Sequence, residues 1–194
     1  TDFEVSEIKH SKDFGVLLIA YQNAKFDLLY DNGILTANTD IFRSNITGIK
    51  TINHINFDGD YAFFSCGFGI YVYNLRKNES PATYLDTSFT IVNASAKHNN
   101  TVYAATPKGI YRGAVSGFIT IPVGSWIMQK TGDVRFLEKF NNRFYAVVDS
   151  ALLSYDINFG DEKIITSGKI GFTAMENNAG TLVVTSDSGL FEFD

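Results

Sequence analysis

The chain has 194 residues, 45% of them hydrophobic and 19% charged, with a formal net charge of -5 and one cysteine. That balance supports a domain with an apolar core and excludes a disordered segment, and the mild acidity with no basic run longer than two residues argues against nucleic acid as a partner. A single Cys66 excludes an internal disulfide and a cysteine-rich zinc site, and apolar runs such as residues 16–21 fall far short of the roughly 20 residues of a membrane-spanning helix.

Self-similarity organises the rest. Five stretches of fourteen residues align without a gap, starting at Val16, Tyr61, Thr101, Arg143 and Thr181. The ninth column holds a small residue, Ala24, Gly69, Gly109, Ala151 and Gly189, and the eleventh holds Phe26, Tyr71, Tyr111, Leu153 and Phe191. Each stretch predicts a β-hairpin, with turn residues such as Thr106-Pro107-Lys108-Gly109 where a positive or fixed φ is needed.

In chain order, the first unit predicts an inner strand over residues 5–13, the hairpin from Val16, and an outer strand over 34–37 after an Asp31-Asn32-Gly33 turn. The second predicts an inner strand over 52–60, the hairpin from Tyr61 and an outer strand over 82–85. The third predicts 92–100, the hairpin from Thr101 and an outer strand over 118–123. The fourth predicts 134–142, the hairpin from Arg143 and an outer strand over 163–166, and the fifth 172–180 and the hairpin from Thr181. Asp58-Gly59-Asp60, Asn99-Asn100, Asn141-Asn142 and Ala179-Gly180 supply the turns between inner strand and hairpin. No segment shows a convincing amphipathic helix.

Four antiparallel strands recurring about every 40 residues define a β-propeller blade. The expected fold is therefore all-β, a propeller of four-stranded antiparallel blades with about five present, over residues 5–49, 50–90, 91–132, 133–171 and 172–194. Residues 5–13 are already the first inner strand, so the chain is expected to be part of a larger, seven-bladed ring rather than a five-bladed one closed by residues 1–9. With Thr1 first and no charged-then-apolar leader, it is expected to be a processed or excised piece.

Catalytic motifs are missing. Gly67-Phe68-Gly69 begins like a dinucleotide loop but lacks the third glycine and precedes a strand, and no G-x-S-x-G elbow, P-loop or H-E-x-x-H occurs. His10, His54 and His98 are evenly spaced but fall at different places in the repeat, so they are expected to be structural or solvent-facing rather than metal ligands. Turn chemistry accounts for Asp58, Asp60, Asp156, Asp161 and Glu162 better than calcium binding does. Cys66, with no neighbouring His, reads as a buried small side chain. Trp126 lies outside the hairpin repeat and is the one candidate for ligand or partner contact, by sugar stacking, with a blade-edge anchor as the alternative. No cofactor and no metal are expected. The long connections 38–50 and 115–132 are the segments expected to build a partner surface.

Three stretches carry a resemblance beyond the period: LLIAYQNAKFDLLYDNG from Leu17, NITGIKTINHINFDGDYAFFSCGFGIYVYNL from Asn45, and VYAATPKGIYRG from Val102. They resemble the N-terminal propeller of the PorZ family, surface components of the type IX secretion system of Bacteroidetes. The resemblance covers most of residues 5–115 and continues through the blade pattern alone. It implies a non-enzymatic role at the outer-membrane surface, beside the sortase that processes cargo and attaches anionic lipopolysaccharide, with that lipid or another glycan as a ligand. Family members carry two propellers and a sorting domain, of which this chain spans part of the first. No family motif for lipid or sortase contact maps onto particular residues. GLFEFD from Gly189 and LLSYD from Leu152 are similar to two-component regulator propellers, periplasmic sensors of polysaccharide fragments, but no blade has the Trp usual in their second strand. A propeller enzyme would need convergent carboxylates or a metal, and nothing repeats in that way.

Overall fold

The computed structural model describes residues 4–86, 91–115, 121–168, 170–178 and 180–194. Its first sheet runs β1 (Val5–Ser11), β2 (Val16–Tyr21), β3 (Phe26–Tyr30), β4 (Leu35–Asn38), and a one-turn helix α1 (Asp40–Arg43) follows. The second is β5 (Ile52–Asp58), β6 (Tyr61–Cys66), β7 (Gly69–Asn74), β8 (Glu79–Tyr84), and the third β9 (Ala94–His98), β10 (Thr101–Thr106), β11 (Gly109–Ala114), β12 (Ile127–Thr131). The fourth is β13 (Val134–Phe140), β14 (Arg143–Val148), β15 (Ala151–Asp156), β16 (Lys163–Thr166), and β17 (Phe172–Asn178), β18 (Thr181–Ser186) and β19 (Gly189–Phe193) make a three-stranded fifth. All pairings are antiparallel between consecutive strands, and the first strands of successive sheets contact one another in chain order. The result is a β-propeller whose blades stand around an axis lined by β1, β5, β9, β13 and β17.

Apolar side chains fill four wedges between blades. Phe26 and Leu28 meet Phe64, Tyr71 and Tyr73, with the Phe26 and Phe64 rings 4.6 Å apart. Ile70, Val72 and Tyr84 meet Val102 and Tyr111; Tyr103 and Ile110 meet Phe144 and Leu153; Val147 and Leu152 meet Leu182 and Val184. Each fully buried ring or aliphatic chain contributes about 1.5–3 kcal/mol. The period-two alternation is thus a sorting of side chains between the two flanking wedges. All six residues of β7 are buried because the second blade has neighbours on both sides, whereas β2 alternates buried and half-buried.

Glycine is required where hairpin and outer strand crowd. A Cβ on Gly69 (φ 136°) would stand 2.2 Å from the Tyr84 carbonyl oxygen, and one on Gly109 (φ 154°) 2.1 Å from that of Lys130. Asn99 and Asn141, both at φ 51°, make the turns expected of them. Gly180 also turns the chain, while Ala179 lies outside the described residues.

Three sequence expectations are corrected. The gap-free alignment misplaces the first blade: Ala20 pairs with Phe26, whereas Ser65 pairs with Ile70, so this turn is one residue longer. Ala24 therefore sits inside the turn at φ 65° while Gly69, Gly109, Ala151 and Gly189 open third strands, and Phe26 faces the following blade where Tyr71 faces the preceding one. The third outer strand is β12, not residues 118–123: 118–120 lie outside the described residues, and Pro122, lacking an N–H, follows Ile121 outside any strand. The connection read as 115–132 accordingly ends before β12, and the one over 38–50 contains α1, a helix the sequence did not announce.

Candidate functional site

The axis is where the repeat stops repeating. Pairing with the second strands puts Glu7, His54, Ala94, Phe136 and Ala174 at one level of the five inner strands. Two residues further along stand Lys9, Asn56, Ala96, Glu138 and Glu176. Wedge positions stay apolar from blade to blade, but these change from carboxylate to imidazole to methyl to ammonium.

The charged members meet. Lys9 Nζ lies 3.4 Å from Glu138 Oε1 and donates a hydrogen bond to Glu176. His54 Nε2 lies 3.0 Å from the same Glu138 oxygen, with both side chains nearly fully buried. Ala94 and Ala96 leave the third blade's side of the axis thin enough for His54 to reach across to the fourth. Burial pushes the Glu138 carboxyl up, but the hydrogen bond and charge of His54, together with Lys9, outweigh it and hold it below the ordinary range. Burial likewise works against the Lys9 ammonium, and Glu138 and Glu176 more than offset it. Glu7 is raised, chiefly by burial, and its Oε1 is buried with no hydrogen-bond partner.

At one end of this cluster the axis opens into a cavity of about 720 Å³ lined by Ser6, Asn53, Asn93, Asp133 and Arg135. Asn53 Nδ2 donates to the Val92 carbonyl at 2.9 Å and Asn93 Nδ2 to that of Val134 at 2.7 Å, so each ties its blade to the next. Arg135 Nε stands 3.8 Å from Asp133. The same end carries exposed apolar residues on the connections between blades: Phe42, Ile49, Leu85 and Ile91. A groove of about 490 Å³ there is lined by Asn45, Ile46, Thr47, Phe68, Leu85 and Asp86.

The structure separates the residues singled out in the sequence. Trp126 is 7% exposed, 6.3 Å from the Tyr84 ring and packed on Gly113, which places it in the wedge between second and third blades as an anchor of the connection before β12. His10 is half exposed beside Asp31, His98 contacts Asn99 at 2.9 Å, and His54 is on the axis, so the three do not converge. Among the described residues no group of three His, Cys, Asp or Glu is arranged to hold a metal. Asp58 pairs with Lys97, Asp60 with Arg76, Asp161 with Arg143 and Glu162 with Lys130, while Asp156 Oδ1 accepts the N–H of Asn158 and of Gly160, both at 2.8 Å. Cys66 is buried, which pushes its thiol well above the ordinary value, and Gly67-Phe68 is a two-residue hairpin turn. Sequence reading missed Glu7, Lys9, Glu138 and Glu176; aligning the inner strands on their hairpins would have exposed charged residues at shared levels.

Among the described residues no helix is long and apolar enough to cross a membrane. The fold is similar to that of PorZ, the bacterial surface component of the type IX secretion system of Porphyromonas gingivalis, at 19% identity and TM-score 0.74 over 100% of this chain and 27% of that one. It is also similar to the Neurospora crassa Pan2 WD40 domain, at 13% identity and TM-score 0.69 over 94% of this chain and 56% of that one. A third likeness is the extracellular domain of the putative one component system BT4673 of B. thetaiotaomicron, at 17% identity and TM-score 0.60 over 99% of this chain and 32% of that one. No curated protein matches by sequence. This chain thus spans about a quarter of the PorZ structure it resembles. The family model for the type IX secretion system PorZ N-terminal β-propeller domain matches residues 1–117, which covers the first two blades and most of the third, and the chain belongs to that family.

Proposed function

We propose that this propeller is a non-enzymatic binding and assembly platform of type IX secretion, working outside the cytoplasm at the cell surface. The observation that carries the reading is the family match over residues 1–117, on a chain whose whole length follows the PorZ fold. In this reading residues 5–49, 50–90, 91–132, 133–171 and 172–194 are blades of one seven-bladed ring within a longer protein. Its partners are other components of the secretion system, the cargo-processing sortase among them, and anionic lipopolysaccharide is the lipid whose attachment it assists.

Chemistry favours a platform over an enzyme. Glu138 and Glu176 are engaged by Lys9 and His54, and two of the side chains that line the cavity beside them, Asn53 and Asn93, each donate to a backbone carbonyl. Partner contact belongs to the end of the ring that carries the exposed Phe42, Ile49, Leu85 and Ile91, since apolar side chains on loops over a rigid scaffold are what a protein partner covers. Deleting the gene in its source organism and locating cargo that bears the type IX signal tests the reading. Unprocessed cargo in the periplasm, or cargo released without lipid, is the expected result; normal export with an altered transcriptional response to glycans would replace the platform with a polysaccharide sensor.

A further inference from the structure

We propose that the wedge between the third and fourth blades holds a closed binding site, a slot for the phenolic ring of a partner's tyrosine, which Phe159 plugs from within. The axial cavity lies beside the hairpin tip at Pro107, whereas Phe159 follows β15 at the far end of the strands. The slot is therefore separate from the surface assigned to secretion.

Three observations meet there. Phe159 stands at φ 61° and is, among the described residues, the one aromatic residue with a left-handed backbone; Asn78, Asn99, Asn141 and Asp149 are types that tolerate it. Its ring is stacked on two others, 4.7 Å from Tyr155 and 5.0 Å from Tyr103, and Phe144 makes a third wall at 5.0 Å. Tyr155 is 2% exposed, yet its hydroxyl is buried with no hydrogen-bond partner. Burial and the Glu162 carboxylate keep that hydroxyl protonated, and Glu162 is itself engaged by Lys130 at 2.7 Å.

Packing alone asks for none of this. In the second blade Tyr73 holds the place of Tyr155, its hydroxyl accepts from Asn38 at 3.3 Å, and the connection over residues 75–78 brings in no aromatic ring. The fourth blade's connection, over residues 157–162, has six residues against four. Asp156 pins one end of it through the N–H groups of Asn158 and Gly160, and Arg143 pins the other at Asp161. Phe159 lies between the pins, half-buried, with exposed neighbours, so its ring can swing out while the ends stay in place. Leaving relieves the strained backbone and opens a slot with three aromatic walls and an unused hydroxyl. A phenol fills that slot as a phenyl ring does and also pairs with the Tyr155 hydroxyl, which Phe159 cannot do. A ligand that binds only the open state draws the population toward it.

In the full chain, 4-fluorophenylalanine at position 159 reads the plug by fluorine NMR, because stacking moves its resonance away from the solvent value. p-Cresol, the side-chain analogue of tyrosine, is expected to convert the stacked signal to the solvent-exposed one at roughly fivefold lower concentration than toluene, which lacks the hydroxyl. A blocked Gly-Tyr-Gly peptide is expected to displace the plug as p-cresol does. Tyr155→Phe keeps the walls and is expected to erase the preference for p-cresol over toluene. A stacked signal that neither p-cresol nor the peptide displaces overturns the proposal, as does equal displacement by p-cresol and toluene, or a preference that survives Tyr155→Phe. Displacement by p-cresol but not by the peptide overturns a protein as the source of the ring. Should Tyr155→Phe fail to fold, the comparison of p-cresol with toluene in the unaltered slot decides.

Discussion

The wedges between blades and the axis they surround are built from the same five sheets by opposite rules. In the wedges, equivalent positions keep one chemistry: Tyr71, Tyr111, Leu153 and Phe191 all face the preceding blade, because every blade must fill the same triangular space. On the axis, equivalent positions keep no chemistry at all, and Lys9, Asn56, Ala96, Glu138 and Glu176 share a level. Repetition makes the scaffold, and departures from it make the molecule particular. Packing tolerates an apolar substitute of similar volume, whereas a buried carboxylate is stable only with its own partners in place.

That contrast can be broken from either side. The largest effect is expected in a wedge: Phe64→Ala removes a fully buried ring that contacts both Phe26 and Tyr71, and should cost about 3–5 kcal/mol in urea unfolding. Next comes Glu138→Ala, which leaves Lys9 and His54 without their shared carboxylate, at about 3 kcal/mol. If Glu138→Ala proved neutral while Phe64→Ala did not, the axis would be an ornament on a fold held wholly by its wedges. Asn93→Ala, which removes one tie between neighbouring blades, should cost only about 1 kcal/mol.

The smallest effect sharpens the picture through pH. Glu138, held low in the fold, stabilises above its unfolded value near 4.5 and loses that contribution as pH falls through its depressed folded value. Glu7, raised by burial, works the other way: its contribution is full below the unfolded value and is lost as pH rises through its raised folded value. Glu7→Gln should therefore gain stability relative to the parent on the neutral side and little on the acid side, read as urea midpoints between pH 4 and 8. Equal midpoint shifts across that range would mean that Glu7 is not charged and buried in the fold.

Much of the scaffold was legible because period, turn residues and alternation all follow from backbone geometry. The turns at Asn99 and Asn141 and the outer strand Lys163–Thr166 needed no tertiary information. Two local features escaped for physical reasons. One extra residue in the turn holding Ala24 leaves no trace in an ungapped alignment, because small residues suit both the turn and the strand start. The β-branched run near residue 120 looks like a strand, yet Pro122 and the burial of Trp126 shift pairing to Ile127–Thr131. The axial cluster was illegible for a deeper reason: its contacts join residues as far as 167 apart, on strands whose only shared property is the axis.

Under the proposed function, the repeat holds the fold while its non-repeating parts carry the contacts that secretion uses. The most direct test of that claim is complementation of the deletion strain with Ile49→Glu combined with Arg135→Ala, two exposed changes at the same end of the ring. The expected result is a protein with unchanged thermal stability that reaches the surface, together with unprocessed type IX cargo accumulating in the periplasm. Full cargo processing by that variant, at wild-type abundance, would contradict the claim.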